Sequence, residues 1–317
     1  MTPPSFHCLI DEYLTARRGL GFALDTPEGL LRDFASHADR IGHRGPVTIA
    51  LAVQCARSSR SSNSAQAARR LAVVRQFARY RKRFDPATEV PPAGLLGRIP
   101  RRPRPHIYTE TEMAALLRQA SCLLPRHGLR PATYAAYFAL LVSTGLRLSE
   151  ACRLTTDDVD LANGILVVRE TKFRKSRLVP LHPTTTQALT RYADRRDACR
   201  AASGSEYFFR TEVSSRLTLD AVEKTFSRIR QRLGWTEQGR TRQPRIHDLR
   251  HTFITRRLLR WYQDGADVDR KMLALATYVG HAKVTDTYWY CTAVPELLAC
   301  TSQRFEHFAH RALERPS

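Results

Sequence analysis

The chain has 317 residues, which is enough for two domains, and apolar residues make up 43% of them, which excludes an intrinsically disordered protein. Its 51 lysines and arginines outnumber its 30 acidic residues and give a net charge of +21. Because most of this surplus is arginine, which can bind phosphates through two hydrogen bonds, it favours a nucleic-acid partner over a merely soluble basic protein.

Membrane insertion, secretion and metal binding through cysteine find no support in the sequence. The longest apolar-rich segment, Tyr134 to Val142, is far shorter than the roughly 20 residues that span a bilayer. No basic stretch followed by an apolar run opens the chain, so no signal peptide is predicted and a bacterial-type cytosolic or nucleoid location is expected. The seven cysteines contain no Cys-x-x-Cys pair, so neither a disulfide framework nor a zinc site is expected.

The first 85 residues are predicted to form a helical DNA-binding domain. Apolar residues recur at helical spacing from Phe6 to Leu14, and Pro27 is typical of the first turn of a second helix. A third helix is predicted after Thr48, and a fourth follows a polar loop and turns Leu71 inward.

The other faces of the fourth predicted helix carry charges of nearly one sign. Such a row repels itself unless an anion binds it, so it is predicted to contact the DNA backbone. The residues of this domain that are predicted to contact DNA are Arg57, Arg60, Arg69, Arg70, Arg75 and Arg79.

Residues 86–105 contain six prolines interleaved with four arginines. Proline lacks a backbone N–H donor and clashes with the preceding turn of a helix, so this segment is predicted to be an extended basic linker. It separates predicted domains at residues 1–85 and 106–317. Its Arg101, Arg102 and Arg104 are also predicted to contact DNA.

The second domain is predicted to be mainly helical with one small β-sheet. Thr109 and Glu112 form a capping-box pattern that begins one helix, and Pro131 begins a longer one. The β-rich segments at 164–169 and 177–181 flank a short basic turn and predict a hairpin. Further helices are predicted at 184–196, after Thr218, and at 247–260, 267–279 and 295–310.

Six residues with cationic, acid–base or nucleophilic side chains follow one another in distinct local motifs. They are Arg147 in Thr-Gly-Leu-Arg-Leu-Ser-Glu, Lys172 in Thr-Lys-Phe-Arg-Lys-Ser-Arg, His247 and Arg250 in His-Asp-Leu-Arg-His-Thr-Phe, His281 in Gly-His, and Tyr290 nine residues later. Together they provide two fixed cations, a proton donor, two imidazoles and a phenol. This set can attack a phosphodiester without a metal.

Each residue alone also has an ordinary structural interpretation. Arg147 resembles a surface arginine, His247 a hydrogen-bonded core histidine and His281 a helix cap. The run from Tyr288 to Tyr290 resembles packing aromatics. Glu150, three residues after Arg147, is close enough on a helix to orient or neutralise it.

The order and contexts of the six residues resemble the tyrosine recombinase (phage integrase) family, over essentially the whole chain and most strongly from Ile107 to Leu298. The resemblance implies an N-terminal helical domain that binds DNA and a C-terminal catalytic domain that breaks and rejoins DNA. It also implies that Tyr290, nine residues after His281, is the nucleophile and that Tyr288 is a packing residue.

The family's proton donor is a lysine of the β-hairpin, and Lys172 aligns with it, although Lys175 lies only three residues away. Phe173 departs from the small residue that often follows this lysine. Arg174 and Lys175 in the same turn are predicted to contact DNA. The resemblance also implies that four protomers act on two duplex sites, with a partner recombinase as a further candidate. It implies that the segment 295–310 packs on a neighbouring protomer, although its apolar residues could equally pack in cis.

Neither a metal nor ATP is expected as a cofactor. Asp157, Asp158 and Asp160 lie in one loop without a distant acidic partner, so they are interpreted as turn and cap residues rather than a two-metal site. The phosphate-binding pattern Gly-x4-Gly-Lys-Ser/Thr does not occur. Two other functions stay open, a type IB topoisomerase and a DNA-binding accessory protein that does not cleave. The sequence does not identify the target site or the biological use of recombination.

Overall fold

The computed structural model describes residues 4–58, 64–97, 104–169, 176–199, 204–213, 216–237 and 243–293, together with residues 297, 299 and 302. The chain divides into two compact units, Met1–Arg102 and Pro103–Ser317. Among the described residues, no helix is both long enough and apolar enough to cross a membrane.

The first unit contains the four predicted helices. They are α1 (Phe6–Gly19), α2 (Asp25–Arg40), α3 (Ile49–Arg57) and α4 (Ser64–Arg81). The Thr48 hydroxyl accepts a hydrogen bond from the Leu51 N–H and so caps α3. The helices pack their apolar faces into one core, in which Phe34 and Phe77 are fully buried. The second helix begins at Asp25, so that Pro27 lies in its first turn, as predicted.

The extended-linker interpretation is corrected for residues 86–97, which fold onto the first unit. The Glu89 N–H donates to the Val47 carbonyl over 2.8 Å, and the Glu89 carboxylate accepts from the Ile49 N–H over 2.7 Å at the start of α3. Val90 and Leu96 pack against the core of this unit. Proline prevents a helix here but permits turns, and the apolar residues between the prolines supply the packing. The predicted domain boundaries themselves stay a prediction.

The second unit is mainly helical around one small sheet, as predicted. Its helices are α5 (Glu110–Ser121), α6 (Leu129–Thr144), α7 (Leu148–Arg153), α8 (Pro183–Asp197), α9 (Leu219–Arg232), α10 (Asp248–Gln263), α11 (Val268–Val279) and α12 (Thr285–Ala293). Thr109 and Glu112 form the predicted capping box. Helix α6 begins at Leu129, two residues before the predicted start. The predicted helix at 295–310 lies almost entirely outside the described residues.

The sheet contains the predicted hairpin and one short additional strand. Its strands β1 (Val159–Asp160), β2 (Ile165–Val168) and β3 (Arg177–Pro180) are antiparallel in the order β1-β2-β3. Leu166 pairs with Val179, and both side chains are buried against the helical core. Strand β3 therefore turns Val179 toward the core, whereas Leu178 and Pro180 are exposed.

The end of α6 places the first candidate site residue. Gly145 has φ 64°, a left-handed conformation that glycine adopts readily. A Cβ atom at this position would lie 2.6 Å from Cδ1 of Phe253. The chain therefore turns sharply against α10, and Arg147 becomes the N-cap residue of α7.

Candidate active site

Arg147 is held at the junction of α6 and α7 by three hydrogen bonds. Its Nη1 donates to Glu150 Oε1 over 2.7 Å, its backbone N–H donates to Glu150 Oε2 over 3.0 Å, and its Nη2 donates to the Gly280 carbonyl over 2.5 Å. The structure thus places Glu150 against Arg147, at the contact that the sequence suggested. The hydrogen bond from Arg147 to the Gly280 carbonyl also links α7 to the end of α11.

Arg177 of β3 binds the same carboxylate. Its Nη1 and Nη2 donate to the two Glu150 oxygens over 3.1 and 2.8 Å, and its Nε donates to the Tyr278 carbonyl over 2.8 Å. Burial of Glu150 opposes its ionisation, but Arg177 and Arg147 outweigh that effect and lower the pKa of Glu150 to about 2. The carboxylate is therefore ionised at neutral pH although only 3% of the residue is exposed.

Arg250 of α10 is the most deeply buried arginine of this group, at 4% exposure. Its Nη1 donates to the Gly145 carbonyl over 2.7 Å, while its buried Nη2 has no hydrogen-bond partner in the described part of the chain. Burial and the Arg147 charge lower the pKa of Arg250 to about 10, and nearby Tyr290 opposes this shift. The side chain stays cationic at pH 7, and its unsatisfied donor suits an anionic ligand.

These residues form the guanidinium cluster, defined as Arg147, Arg177 and Arg250 together with Glu150. The cluster contains one buried carboxylate, which binds two of its three guanidinium groups, so it keeps a surplus of positive charge. Arginine donors in fixed positions are suited to the nonbridging oxygens of a phosphate. The predicted site included Arg147, Glu150 and Arg250 but not Arg177. An arginine within the apolar strand Arg177–Pro180 was the available signal, because a buried charge needs a partner.

The imidazole cluster is defined as His247, His251, His281 and Tyr290. Tyr290 of α12 is 2% exposed, and its hydroxyl shares a hydrogen bond of 2.8 Å with Nδ1 of His251. The His281 ring stacks on the Tyr290 ring at a centroid distance of 6.2 Å and an angle of 17°. Nδ1 of His281 shares a hydrogen bond of 2.7 Å with the Thr287 hydroxyl. The His247 ring meets the His251 ring edge to face at 5.0 Å.

The two clusters meet at Gly280. Its carbonyl accepts from Arg147, and the next residue is His281. A Cβ atom on Gly280 would lie 2.5 Å from Nη1 of Arg177, and its φ of 74° is in the left-handed region. Glycine is therefore required for α11 to end this close to the guanidinium groups. The arrangement brings five of the six predicted catalytic residues into one region, and the sixth, Lys172, lies outside the described residues.

Tyr288 lies away from the imidazole cluster. Its hydroxyl donates to the Asp269 carboxylate over 3.0 Å, and 41% of the residue is exposed. Two residues apart on a helix, Tyr288 and Tyr290 point in different directions. His251 was not among the predicted site residues, although His247 and His251 are four residues apart and therefore share a face of the α10 segment.

The predicted DNA contacts are only partly described. In the first unit Arg57, Arg69 and Arg79 are exposed, whereas Arg70 and Arg75 are half-buried, and in the second unit Arg104 is exposed. The charges on α4 are all of one sign, but two of them have acidic partners on other helices of the first unit: Arg70 pairs with Asp33 at 3.5 Å and Arg81 pairs with Glu12 at 3.8 Å. The remaining predicted contacts lie outside the described residues, namely Arg60, Arg101, Arg102, Arg174 and Lys175.

The aspartates before the hairpin make turn and cap contacts. Asp158 accepts from the Thr155 N–H over 3.1 Å and pairs with Arg169 at 2.5 Å. Asp160 accepts from the side chain of Asn163 over 2.7 Å. These contacts agree with the interpretation of Asp158 and Asp160 as turn and cap residues. Within the described ranges, no three His, Cys, Asp or Glu side chains are grouped so that they could hold a metal ion.

Comparison with known proteins gives a consistent result. The family model described as the phage integrase family matches residues 108–296. The protein y4rB of Sinorhizobium fredii, which is named as an integrase/recombinase, is 40% identical over 308 residues and covers 95% of this chain and 97% of its own length. The tyrosine recombinase XerD of Mycobacterium tuberculosis is 29% identical over 300 residues, which cover 88% of this chain and 90% of that protein.

Two solved structures share the fold. The Tn1549 transposon integrase in complex with transposon right-end DNA has a TM-score of 0.65 and 19% identity, and the match covers 96% of this chain and 100% of that one. A lambda integrase dimer bound to a core site has a TM-score of 0.56 and 19% identity, with coverage of 91% and 77%.

Proposed function

The chain belongs to the phage integrase family, as a tyrosine-type site-specific DNA recombinase, and we propose that Tyr290 is the nucleophile with which it cleaves and rejoins duplex DNA. One observation carries this assignment. The Tyr290 ring stacks on the ring of His281, and His281 directly follows Gly280, whose carbonyl binds Arg147. The phenol and the cations therefore lie in one region. Tyr288 instead binds Asp269 on another face of α12.

The cleavage step is an in-line attack of the Tyr290 hydroxyl oxygen on a backbone phosphorus. An O–P bond forms to give a 3′-phosphotyrosyl link, and the bond from phosphorus to the 5′-oxygen breaks. Arg147 and Arg250 bind the nonbridging oxygens, where negative charge accumulates in the transition state and where preorganised cations stabilise it most. The buried, unsatisfied Nη2 of Arg250 is available for such an oxygen.

The remaining predicted residues manage protons and phosphate contacts. Lys172 protonates the leaving 5′-oxygen, His281 donates a further hydrogen bond to the phosphate, and His247 assists proton transfer or holds the phosphate. A 5′-hydroxyl of the partner strand then attacks the phosphotyrosyl link and reverses the step. Because the covalent link conserves the energy of the phosphodiester bond, rejoining needs no ATP.

The substrate is duplex DNA with a specific recombination site. Exposed arginines, among them Arg57, Arg69, Arg79 and Arg104, are suited to backbone phosphates and so add affinity without sequence specificity. Four protomers act on two sites in the proposed synapse, and the location is the bacterial cytosol or nucleoid where such DNA is found. The solved integrases with this fold are DNA complexes, which supports the choice of substrate.

Covalent trapping tests the assignment. The protein is incubated with nicked suicide duplexes that cover the DNA flanking its own gene, and adducts that resist SDS but not protease are measured. We expect an adduct with the wild-type protein and with Tyr288→Phe, and none with Tyr290→Phe. An adduct that survives in Tyr290→Phe but not in Tyr288→Phe would move the nucleophile by two residues. Tight, specific binding without any adduct would support the accessory-protein interpretation.

A further inference from the structure

His251 touches the atom that is proposed to react. It lies on α10 one turn after His247, is 4% exposed, and its Nδ1 is 2.8 Å from the Tyr290 hydroxyl oxygen. The Trp289 ring lies 5.9 Å from the imidazole and helps to enclose it. We propose that His251 is the general base that accepts the phenolic proton of Tyr290, an inference that rests on the proposed function.

A base is needed because the phenol must lose its proton at or during attack. With an ordinary pKa of about 10, only about one tyrosine in a thousand is ionised at pH 7. The basic atom of a general base must lie within about 2.6–3.2 Å of the heavy atom whose proton it removes. The base must also titrate near the working pH, and imidazole is the side-chain type that meets this second condition. The His251 contact meets the first.

The other two imidazoles are less suited to this role. The His281 ring is nearly parallel to the Tyr290 ring, and its Nδ1 is hydrogen-bonded to Thr287. The edge-to-face contact places His247 next to His251. The two histidines thus have different neighbours. His281 adjoins the guanidinium cluster at Gly280, whereas His251 is hydrogen-bonded to the nucleophile.

In the proposed step one proton is transferred to His251, one bond forms and one bond breaks. The proton passes from the Tyr290 hydroxyl to Nδ1 of His251 as the new O–P bond forms, and the bond from phosphorus to the 5′-oxygen breaks. The leaving 5′-oxygen takes its proton from a different group, Lys172 in the proposed mechanism. In the rejoining step the imidazolium returns its proton to the tyrosine oxygen. Proton transfer to the leaving group and from the nucleophile thus occurs at separate residues.

The test separates these two proton transfers. Single-turnover cleavage is measured on a nicked suicide duplex with either oxygen or sulfur at the scissile 5′-bridging position, because a thiolate leaves without being protonated. The variants are His251→Asn, which keeps a polar group at the position of Nδ1 but does not titrate near neutral pH, His251→Ala, and Lys172→Ala. DNA binding and thermal unfolding of each variant are measured in parallel.

We expect both His251 variants to cleave the oxygen substrate about 10²–10⁴-fold more slowly while DNA binding is retained. Sulfur should restore cleavage by Lys172→Ala and should leave both His251 variants slow. Near-wild-type cleavage by His251→Asn would reduce His251 to a hydrogen-bonding partner and overturn the proposal. Rescue of His251→Asn by sulfur would also overturn it, by placing His251 at the leaving group.

The wild-type protein gives a test that no folding defect can obscure. On the sulfur substrate only the nucleophile still has to lose a proton, so cleavage should slow as the pH falls through the titration of the base. A flat profile would overturn the proposal. Different results would contradict the proposed function itself. They are adduct formation by Tyr290→Phe, or no adduct with the wild-type protein on either substrate.

Discussion

The guanidinium cluster is held mainly by charge, whereas the imidazole cluster is held by hydrogen bonds and ring packing. In the first, the ionised Glu150 receives donors from Arg147 and Arg177. In the second, Tyr290 is held by His251 and by stacking on His281. The part of the site that is proposed to bind phosphate is thus preorganised by strong, charge-assisted bonds, and the part proposed to move protons relies on weaker contacts.

Both clusters use α10, which carries Arg250 and His251, but their other supporting elements differ. Arg147 is the N-cap residue of α7, which follows the long, buried α6 after a short turn, and Arg177 lies in a strand paired along its length with β2. Tyr290 lies on α12, which has nine described residues. Isolated helices of that length are marginal in water, so α12 depends on its packing. The position of the nucleophile therefore depends on the packing of α12.

The largest effect that separates the clusters is expected from Glu150→Gln. The amide keeps the shape but leaves Arg147 and the largely buried Arg177 without their counter-charge, so the free energy of unfolding should fall by about 3–5 kcal/mol. Urea unfolding of the full chain measures this change in the free energy of unfolding. The control is Asp220→Asn, whose exposed ion pair with Lys224 should contribute at most about 1 kcal/mol. Equal effects for the two variants would mean that charge does not hold the guanidinium cluster.

The same carboxylate predicts a pH dependence of somewhat smaller size. Its pKa is lowered from 4.5 to about 2, so its stabilising contribution is present above about pH 4.5 and is lost as the pH falls toward 2. At roughly 1.4 kcal/mol for each pKa unit, the loss amounts to roughly 3 kcal/mol. We expect the wild-type protein to lose more stability over this range than Glu150→Gln. Parallel curves of unfolding free energy against pH would contradict the assignment.

The next effect tests geometry rather than charge. Arg177→Lys keeps the positive charge but cannot bond both Glu150 oxygens and the Tyr278 carbonyl at once. Loss of one charge-assisted hydrogen bond should lower the free energy of unfolding by about 1.5–3 kcal/mol. Cleavage should slow as Glu150 and Arg147 lose their fixed positions, with DNA binding retained. Arg169→Lys is the matched control, since Arg169 is 61% exposed where it pairs with Asp158.

Local signals were enough to predict most of the fold. Apolar periodicity indicated the helices of both units, the Thr109 capping box marked the start of α5, and the β-rich segments around a basic turn gave β2 and β3. These features depend on residues close together in the chain. The folding of residues 86–97 onto the first unit was missed, because Glu89 caps a helix that begins 40 residues earlier.

For the site, too, local motifs were predicted and contacts between distant residues were not. The motifs named Arg147, Arg250 and Tyr290, and the structure places all three in one region. They did not indicate that Arg177 shares a carboxylate with a residue 30 positions earlier in the chain, or that His251 bonds a hydroxyl 39 residues away. Contacts of this kind are set by tertiary packing, which local pattern does not encode.

The smallest effect is expected within the imidazole cluster, from Thr287→Val. Thr287 is fully buried, and its hydroxyl is the described partner of Nδ1 of His281. Valine has nearly the same shape, so the main change is loss of one neutral hydrogen bond, which should lower the free energy of unfolding by about 1 kcal/mol. His281 should be held less firmly, and cleavage should slow more than stability suggests.

The exposed Thr277→Val on α11 is the matched control for this change and should alter neither quantity. A loss of stability in Thr287→Val as large as that of Glu150→Gln would show that the imidazole cluster is supported as strongly as the guanidinium cluster, and would remove the contrast between them. A small loss with clearly slower cleavage would instead indicate that weak contacts around the nucleophile control its reactivity. The cations would then be fixed by charge, and the nucleophile by contacts that the reaction itself can rearrange.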